Sequence, residues 1–502
     1  MAPRVRYAPS PTGRLHVGNV RTALFVYLLA RAAGGTYVLR VEDTDRRRYD
    51  PDALADIYDN LTWLGLRWDE GPGVGGPYAP YIQSERVAGH RAVAERLVAT
   101  GHAYRCYCDP ARLERVRATH NGYDRHCRNL SPEERRRQEA GGAASVIRFR
   151  VPLEGSTRYD DLLLGAIERR NSDINPDPVL LKSDGFPTYH LAAIADDHDM
   201  AISHVLRAQE WVSSAPLHLL IFEACGWQPP HYAHLPAVNG PDGKKLGKRH
   251  GATGVHEFRR RGILPEALVN YLALLGWSPG DDREFFTLGE LEHSFSMERL
   301  GRAGAVFDHK KLEWFNGHYI RRLPPARLAV ALRPYLREAG IEVATLDADP
   351  ASAGQAGAGE AGADATAAET ALAALLQERI TVLDEAPQRA AFLGPDADLA
   401  AEELVPRRLT AAAAATILQQ ASPLLEPIPA TDGEHALEER LRELARVQGV
   451  KFGDLMMTIR MATTGSRVSP PLFGSLRLLG EQRLRGRLAR ALATLTAAAE
   501  ED

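Results

Sequence analysis

The 502-residue chain contains only 4 cysteines and no long apolar run. Three of the cysteines lie between positions 106 and 127, a clustering that suits local metal binding in a reducing compartment better than a disulfide framework. The longest apolar stretch, 23–30, is far shorter than the roughly 20 residues of a membrane-spanning helix. The first residues lack the apolar core of a signal sequence. We therefore expect a cytoplasmic protein without a membrane segment.

The chain also lacks a strong overall charge. Its formal net charge is -4, with 44% hydrophobic and 25% charged residues, as in ordinary folded proteins. This net charge argues against a uniformly basic surface that binds nucleic acid, but the charge is unevenly distributed. From Arg105 to Arg150 there are 11 arginines and no lysine against 6 acidic residues, a local charge of +5. A segment of this kind can face phosphates.

Strand and helix signals alternate at the start of the chain. Residues 5–8 are typical of a short strand, and 18–33 of a helix that Gly34-Gly35 ends. A second strand is predicted at 37–41, and Asp50-Pro51 supplies a cap and a first-turn proline for the next helix. This alternation predicts a parallel sheet whose ligands bind beyond the carboxyl ends of the strands.

The pattern changes several times along the chain. The stretch 105–178 interrupts the alternation, which resumes over 179–250, and helical patterns dominate from 251 to the end. The predicted fold class is therefore α/β and α, with several domains. Residues 347–369 are rich in Ala and Gly and hold five acidic and no basic residues, which predicts a flexible surface insertion.

Two short stretches carry the strongest chemical signal. The first, PSPTGRLHVGN at 9–19, places a histidine and a glycine where a strand turns into a helix. The free N–H groups of a helix start bind anions, and a glycine lets a flat base approach the backbone. The second, KKLGKR at 244–249, places cations on a glycine-containing loop. Together they predict a nucleoside triphosphate site.

These stretches resemble the two signatures of class I aminoacyl-tRNA synthetases, and among them the bacterial-type glutamyl-tRNA synthetases. The resemblance extends over most of the chain. Further stretches that carry it are RVEDTD at 40–45, YIQSER at 81–86, LLKSDGFPTYH at 180–190, DDHDM at 196–200, RAQEW at 207–211, FD at 307–308, WFNG at 314–317, GVKFG at 449–453 and LF at 472–473.

The resemblance implies an ATP-dependent ligase. It would activate L-glutamate with ATP and Mg²⁺ to glutamyl-adenylate and pyrophosphate, and then transfer glutamate to the 3′-terminal adenosine of tRNA(Glu). It implies a Rossmann-type catalytic domain in two halves, 1–104 and 179–250, separated by an acceptor-stem-binding insertion at 105–178. A stem-contact domain at 251–322 and a helical anticodon-binding region at 323–502 would follow. We expect a monomer.

The resemblance also implies roles for residues of the two signatures. His16 and Lys248 would be catalytic, since both can donate to phosphate oxygens that become more negative in the transition state. The residues implied to bind ATP are His16, Gly18, Asn19, Lys245 and Lys248.

A glutamate pocket must hold two carboxylates and one ammonium. Arg6 and Arg207 resemble the carboxylate-binding arginines of the family, a task that suits planar guanidinium groups, and Glu42 would bind the ammonium. The other residues implied to contact glutamate are Ala8, Ser10, Tyr189 and Trp211.

A cysteine cluster resembles the structural zinc site of some family members. The implied ligands are Cys106, Cys108, Tyr123 and Cys127. Zinc takes four ligands, so three thiolates leave one position open. Some relatives fill it with a histidine two residues after the last cysteine, where this chain has Asn129, and others with a tyrosine that Tyr123 matches. His120 and His126 are further candidates, and three buried free thiols are the alternative.

Two positions depart from the family pattern. Gly247 stands where the second signature carries a hydroxyl residue, and Ala193 where some relatives have an asparagine near the amino acid. An enzyme that also charges tRNA(Gln) and a catalytically silent tRNA-binding paralogue stay open as alternatives. The roughly 180 residues beyond Leu323 argue against the truncated glutamyl-queuosine relatives. Their helical pattern argues against glutaminyl-tRNA synthetases, whose C-terminal part resembles β-barrels.

Overall fold

The computed structural model describes residues 2–119, 122–343, 365–396, 398–426, 428 and 433–501. The chain divides into two compact units. The first consists of Met1–Arg259 with Pro265–His309, and the second of Arg260–Leu264 with Lys310–Asp502.

Strands are confined to the first unit within the described residues. They are β1 (Arg4–Tyr7), β2 (Thr36–Leu39), β3 (Ala103–Cys106), β4 (Val146–Phe149), β5 (Ser156–Asp161), β6 (Gly165–Arg170), β7 (Val179–Leu181), β8 (His204–Ala208), β9 (His231–Leu235), β10 (Val238–Asn239) and β11 (Ala305–Val306).

Helices occur in both units. In chain order they are α1 (Val17–Ala32), α2 (Pro51–Trp63), α3 (Val87–Ala99), α4 (Pro110–Thr119), α5 (Pro132–Ala140), α6 (Tyr189–Asp199), α7 (Ala215–Ala224), α8 (Val255–Arg260), α9 (Pro265–Leu274), α10 (Leu288–Ser294), α11 (His309–Arg322), α12 (Pro325–Glu338), α13 (Ala367–Leu376), α14 (Ala386–Arg389), α15 (Ala401–Leu404), α16 (Ala411–Leu425), α17 (Glu434–Val447), α18 (Phe452–Thr464), α19 (Leu472–Leu479) and α20 (Glu481–Glu501). None of the described helices combines the length and apolar character that crossing a bilayer requires.

A four-stranded parallel sheet forms the centre of the first unit, in the order β2-β1-β8-β9. Its strands are buried along most of their length, as expected of parallel strands covered on both faces. The predicted β-α-β start is confirmed, since β1, α1 and β2 begin and end within two residues of the predicted positions. The carboxyl ends of β1 and β8 bring distant parts of the chain to one edge of this sheet.

The segment between the two halves of the sheet forms its own structure. Strands β3, β4 and β7 make an antiparallel sheet, and β5 and β6 make a hairpin. The turn of this hairpin reaches back to the parallel sheet, where Leu162 N–H donates to the Tyr232 carbonyl at 2.8 Å. The hairpin therefore adjoins strand β9 of the central sheet.

The second unit is helical throughout its described residues, which confirms the helical C-terminal prediction. One core cluster of this unit consists mainly of leucines, isoleucines and alanines of α16 to α20, with Leu418 and Leu484 fully buried. Residues 347–364 of the predicted insertion lie outside the described residues. The end of that prediction is wrong: Thr366 caps α13, and Glu369 is buried against Arg333, with both oxygens held at 2.7 Å. Helix formation and an ion pair order this part of the chain.

Candidate active site

The first signature lies at the start of α1. His16 is the cap residue, with φ -120° and ψ 160°, and its carbonyl accepts the N–H groups of Asn19 at 2.9 Å and Val20 at 3.1 Å. A Cβ on Gly18 would lie 3.2 Å from Cε1 of His16, so the glycine leaves room for the imidazole. The ring therefore stands over a helix start, where backbone dipoles favour anions.

The two signature regions lie next to each other in the folded chain. Val17 N–H donates to the Thr253 carbonyl at 3.0 Å, and Val255 N–H donates to the Leu15 carbonyl at 3.0 Å. Partial desolvation lowers the pKa of His16, and the positive charge of Lys245 lowers it further. The backbone pairing thus places His16 beside the segment that follows the second signature.

The second signature forms an exposed loop after β10. Lys245 makes an ion pair with Glu210, and both side chains are more than half exposed. The loop ends in a short 3-10 helix, Lys248–His250. Just before this helix, Gly247 N–H donates to Nδ1 of His250 at 3.1 Å. The backbone of Lys248 belongs to this helix, but its side chain lies outside what the structure describes.

A buried network of charges lies at the carboxyl end of β1. Asp197 accepts from Nε of Arg6 at 3.0 Å and from Nη1 of Arg40 at 2.7 Å, and Arg40 also donates to Glu42 at 3.1 Å. Burial raises the pKa of Glu42, against the opposing effects of Arg40 and Arg6. Ion pairs of this kind hold their members in fixed positions, because breaking one would leave a buried charge without compensation.

Arg207 at the end of β8 is buried in a different way. It donates from Nε to Nε2 of His234 at 3.0 Å, from Nη1 to the Tyr189 hydroxyl at 3.2 Å and to Nδ1 of His218 at 3.3 Å, and from Nη2 to the Trp211 carbonyl at 3.1 Å. Among the described residues no carboxylate pairs with it. Burial lowers the pKa of His218 and of His234, and the charge of Arg207 lowers both further, so both rings are neutral acceptors at neutral pH.

Tyr189 bonds to Arg207 and lies near the charges of Glu42 and Arg6. Burial raises the pKa of its hydroxyl, which also lies in the fields of Arg207, Glu42 and Arg6. The ring centroid of Trp211 lies 4.6 Å from that of Tyr189, and Trp211 is 38% exposed, which places it at the rim. Among the other residues predicted to contact a substrate, Ala8 and Ser10 for glutamate and Asn19 for ATP, Ala8 is half-buried and the other two are exposed.

The three predicted cysteine ligands form a cluster beside β3. Their Sγ atoms lie within 4.8 Å of one another, and the distance from Sγ of Cys108 to Sγ of Cys127 is 3.5 Å. The Tyr123 hydroxyl lies 3.3 Å from Sγ of Cys106. A hydrogen bond from Cys127 lowers the pKa of Cys106, which favours a thiolate there. His126 does not belong to this cluster, and His120 lies outside the described residues.

Comparison with known families matches both parts of the chain. Residues 3–314 match the family described as tRNA synthetases class I (E and Q), catalytic domain, and residues 327–492 match an anticodon binding domain. The chain belongs to the class I tRNA synthetases (E and Q).

Curated relatives of this synthetase cover it from end to end. A glutamate–tRNA ligase of Treponema denticola is 47% identical over 98% of this chain and 99% of that protein. One of Borreliella burgdorferi is 46% identical over 98% of each chain. Among solved structures, a glutamate tRNA ligase from Elizabethkingia meningosepticum in complex with its amino acid is 31% identical, covers 99% of this chain and 100% of its own, and superimposes with a TM-score of 0.81.

Sequence reasoning gave no role to several residues that build the synthetase's pocket. Arg40 and Asp197 lie inside stretches that carry the family resemblance. Nothing in the sequence, however, indicates that they pair with Arg6 and Glu42. His218 and His234 have no motif signal at all. Two positions depart from the family pattern in sequence. Ala193 is buried within α6, and a Cβ on Gly247 would meet no atom within 4 Å.

Proposed function

We propose that this synthetase activates L-glutamate with ATP and transfers it to tRNA(Glu). The observation that carries the proposal is Arg207, a buried cation with neutral partners, next to a pocket that also holds Arg6 and Glu42. A guanidinium in such a place favours an anionic ligand, because a carboxylate would compensate its charge where water cannot. The full-length likeness to glutamate–tRNA ligases supports the same substrate.

In this proposal each group of the amino acid has its own partner. The guanidinium groups of Arg6 and Arg207 bind the two carboxylates, and Glu42 binds the ammonium. Tyr189 donates or accepts a hydrogen bond beside them, Trp211 covers the open side, and Ala8 and Ser10 line the entrance. Glutamine would bind less well, because its neutral amide compensates no guanidinium charge.

We assign ATP to the space between the two signatures. His16 and Lys248 donate to the phosphate oxygens that gain charge as pyrophosphate leaves, Lys245 adds a second cation, and Gly18 and Asn19 line the nucleotide at the start of α1. Mg²⁺ bound with the nucleotide would neutralise phosphate charge. The chain itself needs no nucleophile, because the substrate carboxylate attacks the α-phosphate.

For tRNA we retain the predicted domain scheme. Residues 105–178 would bind the acceptor stem, 251–322 would contact the stem, and 323–502 would read the anticodon. We place the reaction in the cytoplasm, where charged tRNA serves translation, and expect a monomer, which size-exclusion chromatography with light scattering tests.

The cysteine cluster fits a structural zinc ion. Tetrahedral zinc holds thiolates about 3.8 Å apart, close to the distance between Cys108 and Cys127. Among the described residues, the Tyr123 hydroxyl, 3.3 Å from Sγ of Cys106, is a candidate fourth ligand. Zinc bound there would link the loop that carries Cys127 to strand β3. With four protein ligands, it would have no coordination position left for a substrate. Elemental analysis of the purified protein should find one zinc per chain, and the substitution Cys127→Ser should remove it. Absence of zinc in the parent protein would favour free thiols.

Glutamate-dependent exchange between ATP and pyrophosphate, measured with and without tRNA(Glu), tests the main proposal. We expect exchange with glutamate and none with glutamine, and Lys248→Ala should lower turnover much more than glutamate binding. No exchange even with tRNA(Glu) would indicate a silent tRNA-binding paralogue instead. Aminoacylation of purified tRNA(Gln) would show whether the enzyme also charges that tRNA.

A further inference from the structure

We propose that Asp161 and His234 are positioning residues that hold Arg207 in the orientation that binds a substrate carboxylate. The inference rests on the proposed function, since it assumes that Arg207 binds glutamate. Neither residue lies in a signature motif. Asp161 ends strand β5 of the hairpin, and His234 lies in β9, 73 positions further along the chain.

A chain of hydrogen bonds joins the three side chains. Asp161 Oδ2 lies 2.6 Å from Nδ1 of His234, and Nε of Arg207 donates to Nε2 of the same ring at 3.0 Å. The side chains of Asp161 and His234 are 0% exposed. Water therefore does not compete for these hydrogen bonds, and the three groups orient one another.

This arrangement fixes the tautomer of His234. Nε2 accepts from an arginine, which can only donate, so it carries no proton. Nδ1 must then carry the proton and donate it to Asp161, since the hydrogen bond at one ring nitrogen determines the state of the other. His234 can hold Arg207 only while Asp161 accepts from its far side.

Asp161 is itself held in place by the backbone. Its Oδ1 accepts the N–H groups of Leu163 at 3.0 Å and Leu164 at 2.9 Å, in the turn of the hairpin, and that of His234 at 3.3 Å. The turn of the hairpin therefore holds this carboxylate in a fixed orientation beside strand β9. That carboxylate stands one imidazole away from Arg207, so it orients the guanidinium without forming an ion pair with it.

The substitution Asp161→Asn tests this role sharply. The amide oxygen of asparagine can keep the contacts of Oδ1, but its NH₂ group would replace Oδ2 and donate to Nδ1 of His234. The imidazole of His234 would then carry its proton on Nε2. Two donors, this Nε2–H and the Nε–H of Arg207, would face each other, and no hydrogen bond could form between them. We expect the KM for L-glutamate to rise at least about tenfold, while the KM for ATP stays within about twofold of the parent value.

Matched variants separate positioning from general damage. Asp160→Asn makes the same change at the preceding, exposed residue and should leave both KM values unchanged. His234→Gln keeps one donor and one acceptor and should bind glutamate better than His234→Leu, which keeps neither. All variants are measured as full-length protein by glutamate-dependent pyrophosphate exchange with tRNA(Glu) present, and their melting temperatures are recorded.

The outcomes distinguish this inference from the proposed function. A parent protein without glutamate-dependent exchange contradicts the function, and the inference with it. An active parent with an unchanged KM for glutamate in Asp161→Asn, or with equal increases for glutamate and ATP, overturns the inference alone. If Asp161→Asn does not fold, the histidine pair decides: equal KM values for glutamate in His234→Gln and His234→Leu overturn it.

Discussion

The amino-acid pocket and the signature loop both hold cations, but in opposite environments. In the pocket, the side chains of Arg6 and Arg40 are 6% and 0% exposed and share one buried carboxylate. In the loop, Lys245 and Arg249 are 66% and 58% exposed and pair with exposed acids. Buried pairs hold their geometry, whereas exposed pairs contribute little and exchange partners easily.

This difference matches the two tasks that we propose. Selecting one amino acid requires donors whose positions do not adapt to a wrong ligand. Stabilising a phosphate group whose negative charge increases during the reaction requires cations that can change position. We expect the two regions to differ in their response to substitution as much as they differ in burial.

The largest effect is expected from Arg207→Gln. This change removes the only charge that we assign to one carboxylate of glutamate, and kcat/KM for glutamate should fall about 10³-fold, or roughly 4 kcal/mol, as for truncation of a buried charge pair. Arg249→Gln, in the exposed loop, should lower it less than tenfold. Pyrophosphate exchange measures both, and equal losses would remove the distinction between pocket and loop.

Asp197→Asn should destabilise the fold. It leaves two buried guanidinium groups with less negative charge, so the free energy of unfolding should fall by about 3 kcal/mol. The same change at the loop residue Asp242, which pairs with Arg249 and His250, should have a much smaller effect. Urea unfolding followed by circular dichroism measures the comparison. A smaller loss for Asp197→Asn than for Asp242→Asn would contradict it.

The histidines around Arg207 should make stability depend on pH. One of them is His190, whose Nδ1 lies 3.0 Å from Nε2 of His218. Burial lowers the pKa of His190 to about 4, whereas an unfolded chain has a histidine pKa near 6.5. Between these values the unfolded chain binds a proton that the folded chain does not, so stability decreases as pH falls, by at most about 1.4 kcal/mol per pH unit. His190→Gln should show a shallower decrease between pH 6.5 and 5 in urea unfolding. Parallel curves for the variant and the parent would refute this contribution.

The smallest effects are expected in the loop. His250→Ala removes the acceptor of the Gly247 N–H and should lower kcat about fivefold, as the loss of one hydrogen bond of about 1 kcal/mol would. Gly247→Ser should keep or raise kcat, because its Cβ has open space and the backbone there has no positive φ. Both are measured by steady-state aminoacylation. A loss of kcat in Gly247→Ser would show that the loop needs the freedom of glycine.

Much of the fold and of the site could be predicted from the sequence. Apolar periodicity, turn residues and caps are local signals, and they predicted the parallel sheet, the start of α1 and the helical C-terminal part. The family resemblance predicted that the two signatures form one site, and backbone hydrogen bonds join the first signature to the segment that follows the second. The prediction was wrong for the C-terminal end of the 347–369 insertion, because composition did not reveal that Glu369 would pair with Arg333.

The partners of the pocket residues could not be predicted in this way. Arg6 and Asp197 are 191 positions apart, and Arg40 and Asp197 are 157 apart, so no local pattern connects them. The same holds for Asp161, which lies on a hairpin between the two halves of the sheet.

The sequence by itself determined which chemical groups the protein carries and which segments become strands and helices, since these depend on neighbouring residues. It also determined the two signatures, whose spacing within each motif is short. Only the tertiary structure decided which buried charges compensate one another, and that Arg207 rests on two neutral histidines, of which Asp161 orients His234. Such pairings depend on distances across the sheet, and these exist only once the separate segments have packed together.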